Sequence, residues 1–209
     1  MKVSVIGAGN MGSGFVKQLT VAGHTVFVTA RDSEKAAAVA AAHGATAVDA
    51  KTAASADLIV LATAYGDAVN ALQSLGDISG KTVIDITNPL TADYMGLTIG
   101  HSTSAAEEIA KAVPGIKVVK AFNTVFAQVL AGGAKLPSGE QVQVFVASDD
   151  GAAKETVTTV AVDLGFQVVD AGGLKNARYL EAVAGFNIYL GYGAGLGTSI
   201  APRWAGVQA

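Results

Sequence analysis

Short runs of β-branched and aliphatic residues alternate with alanine-rich stretches along nearly the whole chain. Short apolar runs bounded by glycine, proline or polar residues are typical of β-strands. The predicted strands are residues 2–6, 25–29, 58–62, 82–86, 117–122, 142–147 and 167–170. Several of them, such as residues 58–62, are continuously apolar, which favours strands covered on both faces.

The stretches between these runs have the spacing of apolar and polar residues that is typical of helices. The predicted helices are residues 11–22, 33–43, 67–75, 104–112 and 151–164, with a last helix from about Asn176. Alternation of strand and helix specifies a mainly parallel sheet with helices on both faces. We therefore predict a doubly wound α/β fold as a single domain over residues 1–209, in which residues 172–209 form a short helical C-terminal extension.

Three segments depart from this alternation. Residues 88–103 and 132–141 carry glycine and proline without a clear period, and we predict loops there. Residues 182–201 are apolar enough to raise a membrane span as an alternative. They contain Asn187, two tyrosines and five glycines, so a buried or interface helix is the favoured interpretation.

Composition narrows the class of function. Hydrophobic residues make up 51% of the chain and charged residues 15%, which indicates densely packed layers and an apolar surface available for self-association. A net charge of −3 with scattered lysines argues against a nucleic-acid partner. Cysteine is absent, so redox chemistry would belong to a bound coenzyme. The first strand runs directly into a glycine turn without a secretory signal, so we expect a cytoplasmic protein with no membrane partner.

A glycine-rich turn follows the first strand and opens the first helix. Its residues are Gly7, Gly9, Asn10, Met11 and Gly12, with Ala8 between the first two glycines, and they match G-x-G-x-x-G. In a Rossmann fold, the first glycine makes the tight turn, the second lets backbone approach a pyrophosphate, and the third allows close helix–strand packing. A purely structural glycine turn is the alternative. The position after a strand favours a dinucleotide site.

The end of the second strand indicates which dinucleotide is bound. NAD enzymes usually place an acidic residue about 20 residues after the glycine turn, to bind the ribose hydroxyls. Here Arg31 stands in that region, with Thr29, Ser33 and Lys35 as further donors to a 2′-phosphate. The pattern predicts NADP, unless Asp32 rather than Arg31 points at the ribose, in which case NAD is used.

Four motifs follow later in the chain, at residues 85–89 (Asp-Ile-Thr-Asn-Pro), 102–107 (Ser-Thr-Ser-Ala-Ala-Glu), 119–124 (Val-Lys-Ala-Phe-Asn-Thr) and 170–181. In this order they resemble the NADPH-dependent deazaflavin (coenzyme F-420) reductases, and also the NADPH-binding domain of the STEAP metalloreductases. Pyrroline-5-carboxylate reductases and hydroxyisobutyrate-type dehydrogenases share the glycine turn but need a large helical C-terminal domain, for which too few residues follow the last strand.

The resemblance implies three further groups of cofactor-binding residues, all at the carboxyl ends of strands. They are Ala62 and Thr63 beside the pyrophosphate and nicotinamide ribose, Asn88 and Pro89 along the nicotinamide ring, and Ala121, Phe122 and Asn123 as the floor where the two rings meet. Ordinary packing at turns and strand ends is the alternative for each group.

Direct hydride transfer needs positioning rather than a general acid, and the sequence predicts neither a catalytic acid–base residue nor a metal site. We expect His24 and His43 to be structural residues in solvated turns. His101 is either a contact to the acceptor or a phosphate, or an exposed loop residue. Arg178 and Glu181 have the spacing of a local ion pair on the last helix; Arg178 could instead bind an anionic acceptor tail.

The leading functional hypothesis is an NADP(H)-dependent oxidoreductase that transfers hydride between nicotinamide and a deazaflavin (coenzyme F-420) or a flavin such as FMN or FAD. The alternatives are an NADP(H)-binding sensor without turnover, a soluble ferric or flavin reductase, and a relative that passes electrons to a membrane partner. We also predict a homodimer formed through the last apolar helix with Tyr189, Tyr192 and Trp204. The direction of transfer stays open.

Overall fold

The computed structural model describes residues 1–207 of the chain. Strands and helices alternate through most of this length. The strands are β1 (Lys2–Ile6), β2 (Thr25–Thr29), β3 (Thr46–Ala47), β4 (Leu58–Leu61), β5 (Thr82–Asp85), β6 (Lys117–Lys120), β7 (Gln143–Val146) and β8 (Gln167–Asp170). The helices are α1 (Asn10–Val21), α2 (Ser33–His43), α3 (Ala50–Ala54), α4 (Tyr65–Gln73), α5 (Ala105–Ala112), α6 (Ala127–Gly132), α7 (Gly151–Asp163) and α8 (Ala177–Ile188).

Six strands form one parallel sheet in the order β3-β2-β1-β4-β5-β6. The chain runs outward from β1 to β3 and then returns to β4 on the other side of β1. Strands β7 and β8 form a parallel pair, which meets β6 through an antiparallel bridge between Lys120 and Ala147. The predicted doubly wound Rossmann fold is confirmed, and its crevice opens where the strand order reverses, beyond the carboxyl ends of β1 and β4.

Alternate residues of the central strands pack into two separate hydrophobic clusters, one on each face of the sheet. In β4, Leu58 and Val60 join the cluster that contains Phe15 of α1, whereas Ile59 and Leu61 join the cluster on the opposite face. All four residues of β4 are fully buried, as expected of a parallel strand between two helical layers. This rigid core holds the strand ends that carry the candidate site.

Four helices begin at a side chain that accepts a hydrogen bond from the backbone three residues later. Asp32, Asp49, Ser104 and Asp150 accept from the N–H groups of Lys35, Thr52, Glu107 and Ala153, at 2.7–3.1 Å. Such caps satisfy N–H groups that the first helical turn leaves without partners. They explain why α2, α3, α5 and α7 begin where they do.

The C-terminal extension begins with a 3-10 turn (Leu174–Asn176), continues as α8, and ends in a π-helical turn (Tyr189–Gly193). The predicted start near Asn176 is confirmed, and the apolar stretch of residues 182–201 is not one helix. Within residues 1–207, no helix is both long and apolar enough to cross a membrane.

The two histidines expected in solvated turns have protein contacts. The side chain of His24 is only 7% exposed and lies 3.6 Å from Asp163, so its prediction as a solvated residue is wrong. Burial beneath the packed turn lowers the pKa of His24, because desolvation disfavours the charged imidazole. His43 is half-buried at the end of α2, where its Nε2 lies 3.1 Å from the Ser13 hydroxyl.

Candidate functional site

The glycine turn between β1 and α1 packs so tightly that side chains are excluded at two positions. Gly7 has φ +117°, its N–H donates to the Thr29 carbonyl at 2.8 Å, and a Cβ there would lie 2.4 Å from the Ala62 carbonyl oxygen. A Cβ at Gly12 would lie 2.0 Å from the Gly7 carbonyl oxygen. Both residues therefore hold the helix against the strand ends, the roles that the motif predicts for them.

Gly9 differs from these two because a Cβ there would meet no protein atom within 4 Å. It is the N-cap of α1 and offers no side chain to the first helical turn. Asn10 is exposed beside it and Met11 is half-buried against the core. The N–H groups and positive dipole end of a twelve-residue helix thus face open space, an arrangement that fits a pyrophosphate.

Asp32 and Arg31, which follow β2, make different contacts. The Asp32 carboxylate accepts from the Lys35 N–H at 3.1 Å, and this bond to the helix lowers its pKa. The side chain of Arg31 is 90% exposed and reaches Asp67 only at 3.7 Å. Ser33 is exposed beside it at the start of α2. Because the Asp32 carboxylate caps α2, the exposed Arg31 is the residue available to bind a ligand at the end of β2.

Three buried polar atoms at the ends of neighbouring strands have no hydrogen-bond partner among the described residues. They are the Thr63 hydroxyl after β4, the Thr87 hydroxyl after β5 and the Asn123 Oδ1 after β6. Buried polar groups are rarely left unpaired, because each costs free energy unless a ligand or water satisfies it. This row of atoms along the carboxyl ends of three adjacent strands is the strongest sign of a polar ligand in the crevice.

Asn88 and Asn123 bind each other across the ends of β5 and β6. The Asn88 Nδ2 donates to the Asn123 carbonyl at 2.8 Å, and the Asn123 Nδ2 donates to the Asn88 Oδ1 at 3.0 Å. The Asn123 amide also donates to the Leu180 carbonyl of α8 at 3.0 Å. The pair fixes the turn that carries Pro89 and joins it to the C-terminal extension.

Ala121 and Phe122 are fully buried, so their side chains do not form the floor that the resemblance implies. Phe122 adopts a positive φ of 60° and its ring packs edge-on against Phe15 and Phe166 at 5.0 and 5.5 Å. A positive φ at an aromatic residue is strained. It turns the ring into the core, and neither residue is exposed, backbone included.

A buried ionic cluster lies directly beneath this turn. The Lys120 Nζ lies 2.9 Å from Asp85 Oδ2 and 2.7 Å from Glu181 Oε1, and it donates to the Thr87 carbonyl. All three charged side chains are at most 2% exposed. The sequence analysis missed this cluster, although Asp85 and Lys120 end two apolar strands, which is the one sequence signal that could have indicated it.

The local ion pair expected between Arg178 and Glu181 is wrong. Arg178 instead binds Glu107 of α5 through two bonds, of 2.9 Å and 2.7 Å, and its Nη1 donates to the His101 carbonyl at 3.3 Å. Glu181 turns inward because Lys120 and the N-terminus of α5 hold its carboxylate. The His101 side chain is exposed, on a loop residue with φ 57°.

The Arg178 bonds hold the pKa of Glu107 below its ordinary value of 4.5. A carboxylate whose pKa is lowered by folding stabilises the protein above its unfolded-state pKa and loses that contribution as the pH falls. We expect Glu107→Gln to destabilise the protein by about 0.5–1 kcal/mol at pH 7. In urea titrations the difference from the unsubstituted protein should shrink below pH 4.5; a difference independent of pH would contradict this assignment.

Comparison with known proteins identifies the family. The family model described as NADP oxidoreductase, coenzyme F420-dependent, matches residues 2–89. The F420-dependent NADP reductase of Methanothermobacter thermautotrophicus is 32% identical over 204 residues, covering 88% of this chain and 86% of that protein. The chain belongs to the coenzyme F420-dependent NADP oxidoreductase family.

Solved structures agree with membership of the F420-dependent NADP oxidoreductase family. A crystal structure from Arthrobacter sp. FB24, described as a candidate F420-dependent NADP reductase, superposes with a TM-score of 0.85 at 29% identity and covers 95% of this chain and 96% of that one. An imine reductase from Pseudomonas sp. has a TM-score of 0.67 at 23% identity, which shows a shared fold alone.

Another relative is much longer than this oxidoreductase chain. Metalloreductase STEAP3 of Rattus norvegicus is 30% identical over 183 residues, which is 87% of this chain but only 36% of STEAP3. The chain therefore spans about a third of the length of that relative. The match agrees with the resemblance to the STEAP metalloreductases drawn from the sequence.

Proposed function

We propose that this protein transfers hydride between NADP(H) and a deazaflavin of the coenzyme F-420 type. The observation that carries the proposal is the crevice at the carboxyl edge of the parallel sheet. The open N-terminus of α1 lies at this edge, as do the Thr63, Thr87 and Asn123 atoms that have no partner among the described residues. A dinucleotide bound on the glycine turn extends along that crevice, from the end of β2 to the ends of β5 and β6.

The adenosine end is proposed to bind after β2. Arg31 would pair with the 2′-phosphate through its guanidinium, since it is highly exposed and only distantly paired with Asp67. Ser33 and Thr29 add hydroxyl donors, and Lys35 adds charge, although its ammonium lies 3.6 Å from Asp32. Arg–phosphate pairs are strong because the planar guanidinium matches two phosphate oxygens.

The pyrophosphate is proposed to bind at the first turn of α1. Backbone N–H groups from Gly9 to Met11 face the open space there, and Gly7 and Gly12 keep the helix close to the strand ends. Thr63, which follows Ala62 at the end of β4, has a buried hydroxyl without a hydrogen-bond partner in the described part of the chain. Its hydroxyl is the proposed contact to the pyrophosphate or the adjoining ribose.

The nicotinamide is proposed to lie beside Asn88 and Pro89. Within residues 1–207, Asn123 Oδ1 and the Thr87 hydroxyl have no hydrogen-bond partner. The first can accept a hydrogen bond from a carboxamide, and the second can donate one. When bound, the reduced nicotinamide supplies the hydride. The residues themselves hold the ring in one place and keep water out, since direct transfer requires reacting atoms about 3–3.5 Å apart and no proton from the protein.

A deazaflavin is the proposed acceptor because relatives that match over most of this chain are described as F420-dependent NADP reductases. NADPH oxidation under anaerobic conditions tests this directly, with coenzyme F-420, FMN, FAD and riboflavin supplied in turn and NADH as the control donor. We expect turnover with NADPH and the deazaflavin, at a rate at least ten times that with any flavin. NADPH binding without reduction of any acceptor would overturn the proposal in favour of a dinucleotide sensor, and faster reduction of a flavin would replace the acceptor.

We also propose that two copies pair through the C-terminal extension. The extension exposes several large apolar side chains, which would stay in contact with water in a monomer. Scattered single apolar residues are normal on a protein surface, whereas a group of them indicates an interaction site. The side chains in this group are Phe186, Tyr189, Tyr192, Leu196 and Trp204. Light scattering should show a dimer at micromolar concentration and a monomer for Phe186→Glu, whereas a monomeric unsubstituted protein would remove this proposal.

A further inference from the structure

The buried cluster of Asp85, Lys120 and Glu181 is not needed for any step of hydride transfer. Its two carboxylates and one ammonium lie in the core, with side chains at most 2% exposed. Every partner is supplied by the protein: Thr87 N–H donates to Asp85 Oδ1 at 2.8 Å, and the Ala105 N–H donates to Glu181 Oε2 at 2.9 Å. The cluster is therefore fully satisfied and geometrically fixed.

Stability alone is a weak reason for such a cluster. Removing charges from water is costly, and well-packed apolar residues of the same volume often give equal or greater stability than a buried ion pair. A buried ionic group can, however, specify one arrangement of the chain around it. The question is then which part of the chain Lys120 and Asp85 hold in place.

They hold Thr87 from both sides. Asp85 accepts from its N–H, and Lys120 donates to its carbonyl. The next residue, Asn88, is held by Asn123, and the Pro89 carbonyl accepts from the Thr98 N–H at 2.7 Å. The Thr87 hydroxyl, which has no partner among residues 1–207, is carried by the backbone that these contacts hold.

We propose that Lys120 is a positioning residue that sets the Thr87–Asn88–Pro89 turn and thereby the placement of the nicotinamide ring. This inference rests on the proposed function, because it assigns the ring to that turn. Glu181 extends the same control to the C-terminal extension, since it joins Lys120 on β6 to α8 and to the N-terminus of α5. Lys120 acts through the turn and does not itself touch the cofactor.

The test uses two variants and one control. Lys120→Met removes the ammonium and leaves two buried carboxylates, so it also lowers stability. The double variant Asp85→Asn/Lys120→Met leaves only the Glu181 carboxylate, which the α5 N-terminus still holds, and should recover part of that stability. Leu72→Ala, in the core at the far end of α4, supplies a loss of stability unrelated to the turn.

The first readout is hydrogen exchange of residues 87–98 without any ligand. We expect both Lys120 variants to exchange at least tenfold faster there, with β1 and α1 unchanged, and Leu72→Ala to show no selective effect on this segment. The second readout is turnover at saturating NADPH and acceptor, which should fall about 10- to 100-fold in both variants. The dissociation constant of 2′,5′-ADP, which occupies only the adenosine end, should stay within twofold.

Recovery of both stability and turnover in the double variant would overturn the positioning role, as would unchanged exchange of residues 87–98. The proposed function fails separately. If NADP⁺ does not slow exchange of residues 87–98 in the unsubstituted protein, the nicotinamide does not bind at this turn, whatever the variants do. If NADP⁺ slows exchange equally in the unsubstituted protein and the variants, Lys120 does not position the site.

Discussion

Replacing Arg31 by leucine should weaken NADPH binding about 10- to 100-fold and leave NADH binding unchanged. A charge-assisted hydrogen bond contributes about 1.5–3 kcal/mol, and each 1.4 kcal/mol is a tenfold change in affinity. Arg31 can supply this contact because its side chain is 90% exposed, while the competing Asp32 carboxylate is bound to α2. Dissociation constants for both dinucleotides, measured by fluorescence titration, give the comparison.

Arg203→Leu is the matched control, because it removes an exposed arginine from the C-terminal segment rather than from the site. It should change neither affinity. Raising the salt concentration should weaken NADPH binding more than NADH binding in the unsubstituted protein, and this difference should shrink in Arg31→Leu. An equal loss of NADPH and NADH affinity in Arg31→Leu would contradict a 2′-phosphate contact.

Two alanine substitutions in the glycine turn should separate folding from binding. Gly12→Ala places a Cβ 2.0 Å from the Gly7 carbonyl oxygen, and because backbone rather than a flexible side chain must move, we expect a loss of stability of about 3 kcal/mol. Gly9→Ala meets no protein atom within 4 Å, at a φ of −82° that alanine tolerates. Its stability should change by less than about 0.5 kcal/mol.

NADPH binding should instead be weakened in Gly9→Ala, the variant that keeps its stability. The Cβ of Gly9→Ala enters the space where backbone is proposed to approach the pyrophosphate, so NADPH affinity should fall about tenfold, or 1.4 kcal/mol. Urea unfolding and NADPH titration together make this test. Unchanged NADPH affinity in Gly9→Ala would place the pyrophosphate elsewhere, and a stable Gly12→Ala would contradict the close packing of α1 on β1.

Much of the fold was predictable because its strands carry their signal locally. The apolar run of β4 predicts a parallel strand, and the glycine motif after β1 predicts a dinucleotide turn. Neither prediction depends on distant residues. The elements that sequence analysis missed, β3, α3 and α6, are two, five and six residues long. Segments this short show no period, and contacts with the rest of the sheet determine them.

The candidate site likewise contains residues that a local sequence motif predicts and residues that only the folded chain brings together. The glycines and Arg31 each belong to a local motif, so the sequence alone could single them out, and Gly7 and Gly12 pack as their motif predicts. Lys120 and Glu181 are 61 residues apart and meet only because the β5–β6 register and the docking of α8 bring them together. No local pattern predicts such a pairing, and the helical spacing instead suggested that Glu181 pairs with Arg178. Phe122 was assigned to the crevice for a similar reason, because its positive φ is invisible in sequence.

The proposed hydride transfer is tested most directly by following a deuterium label from C4 of NADPH. The protein is mixed anaerobically with coenzyme F-420 and NADPH carrying deuterium at one C4 position or the other, and the reduced acceptor is analysed by mass spectrometry. Direct transfer predicts that one of the two labels, and only one, moves to the deazaflavin ring and slows the reaction. Reduction of the deazaflavin without label from either position, or no oxidation of NADPH, would contradict the proposed function.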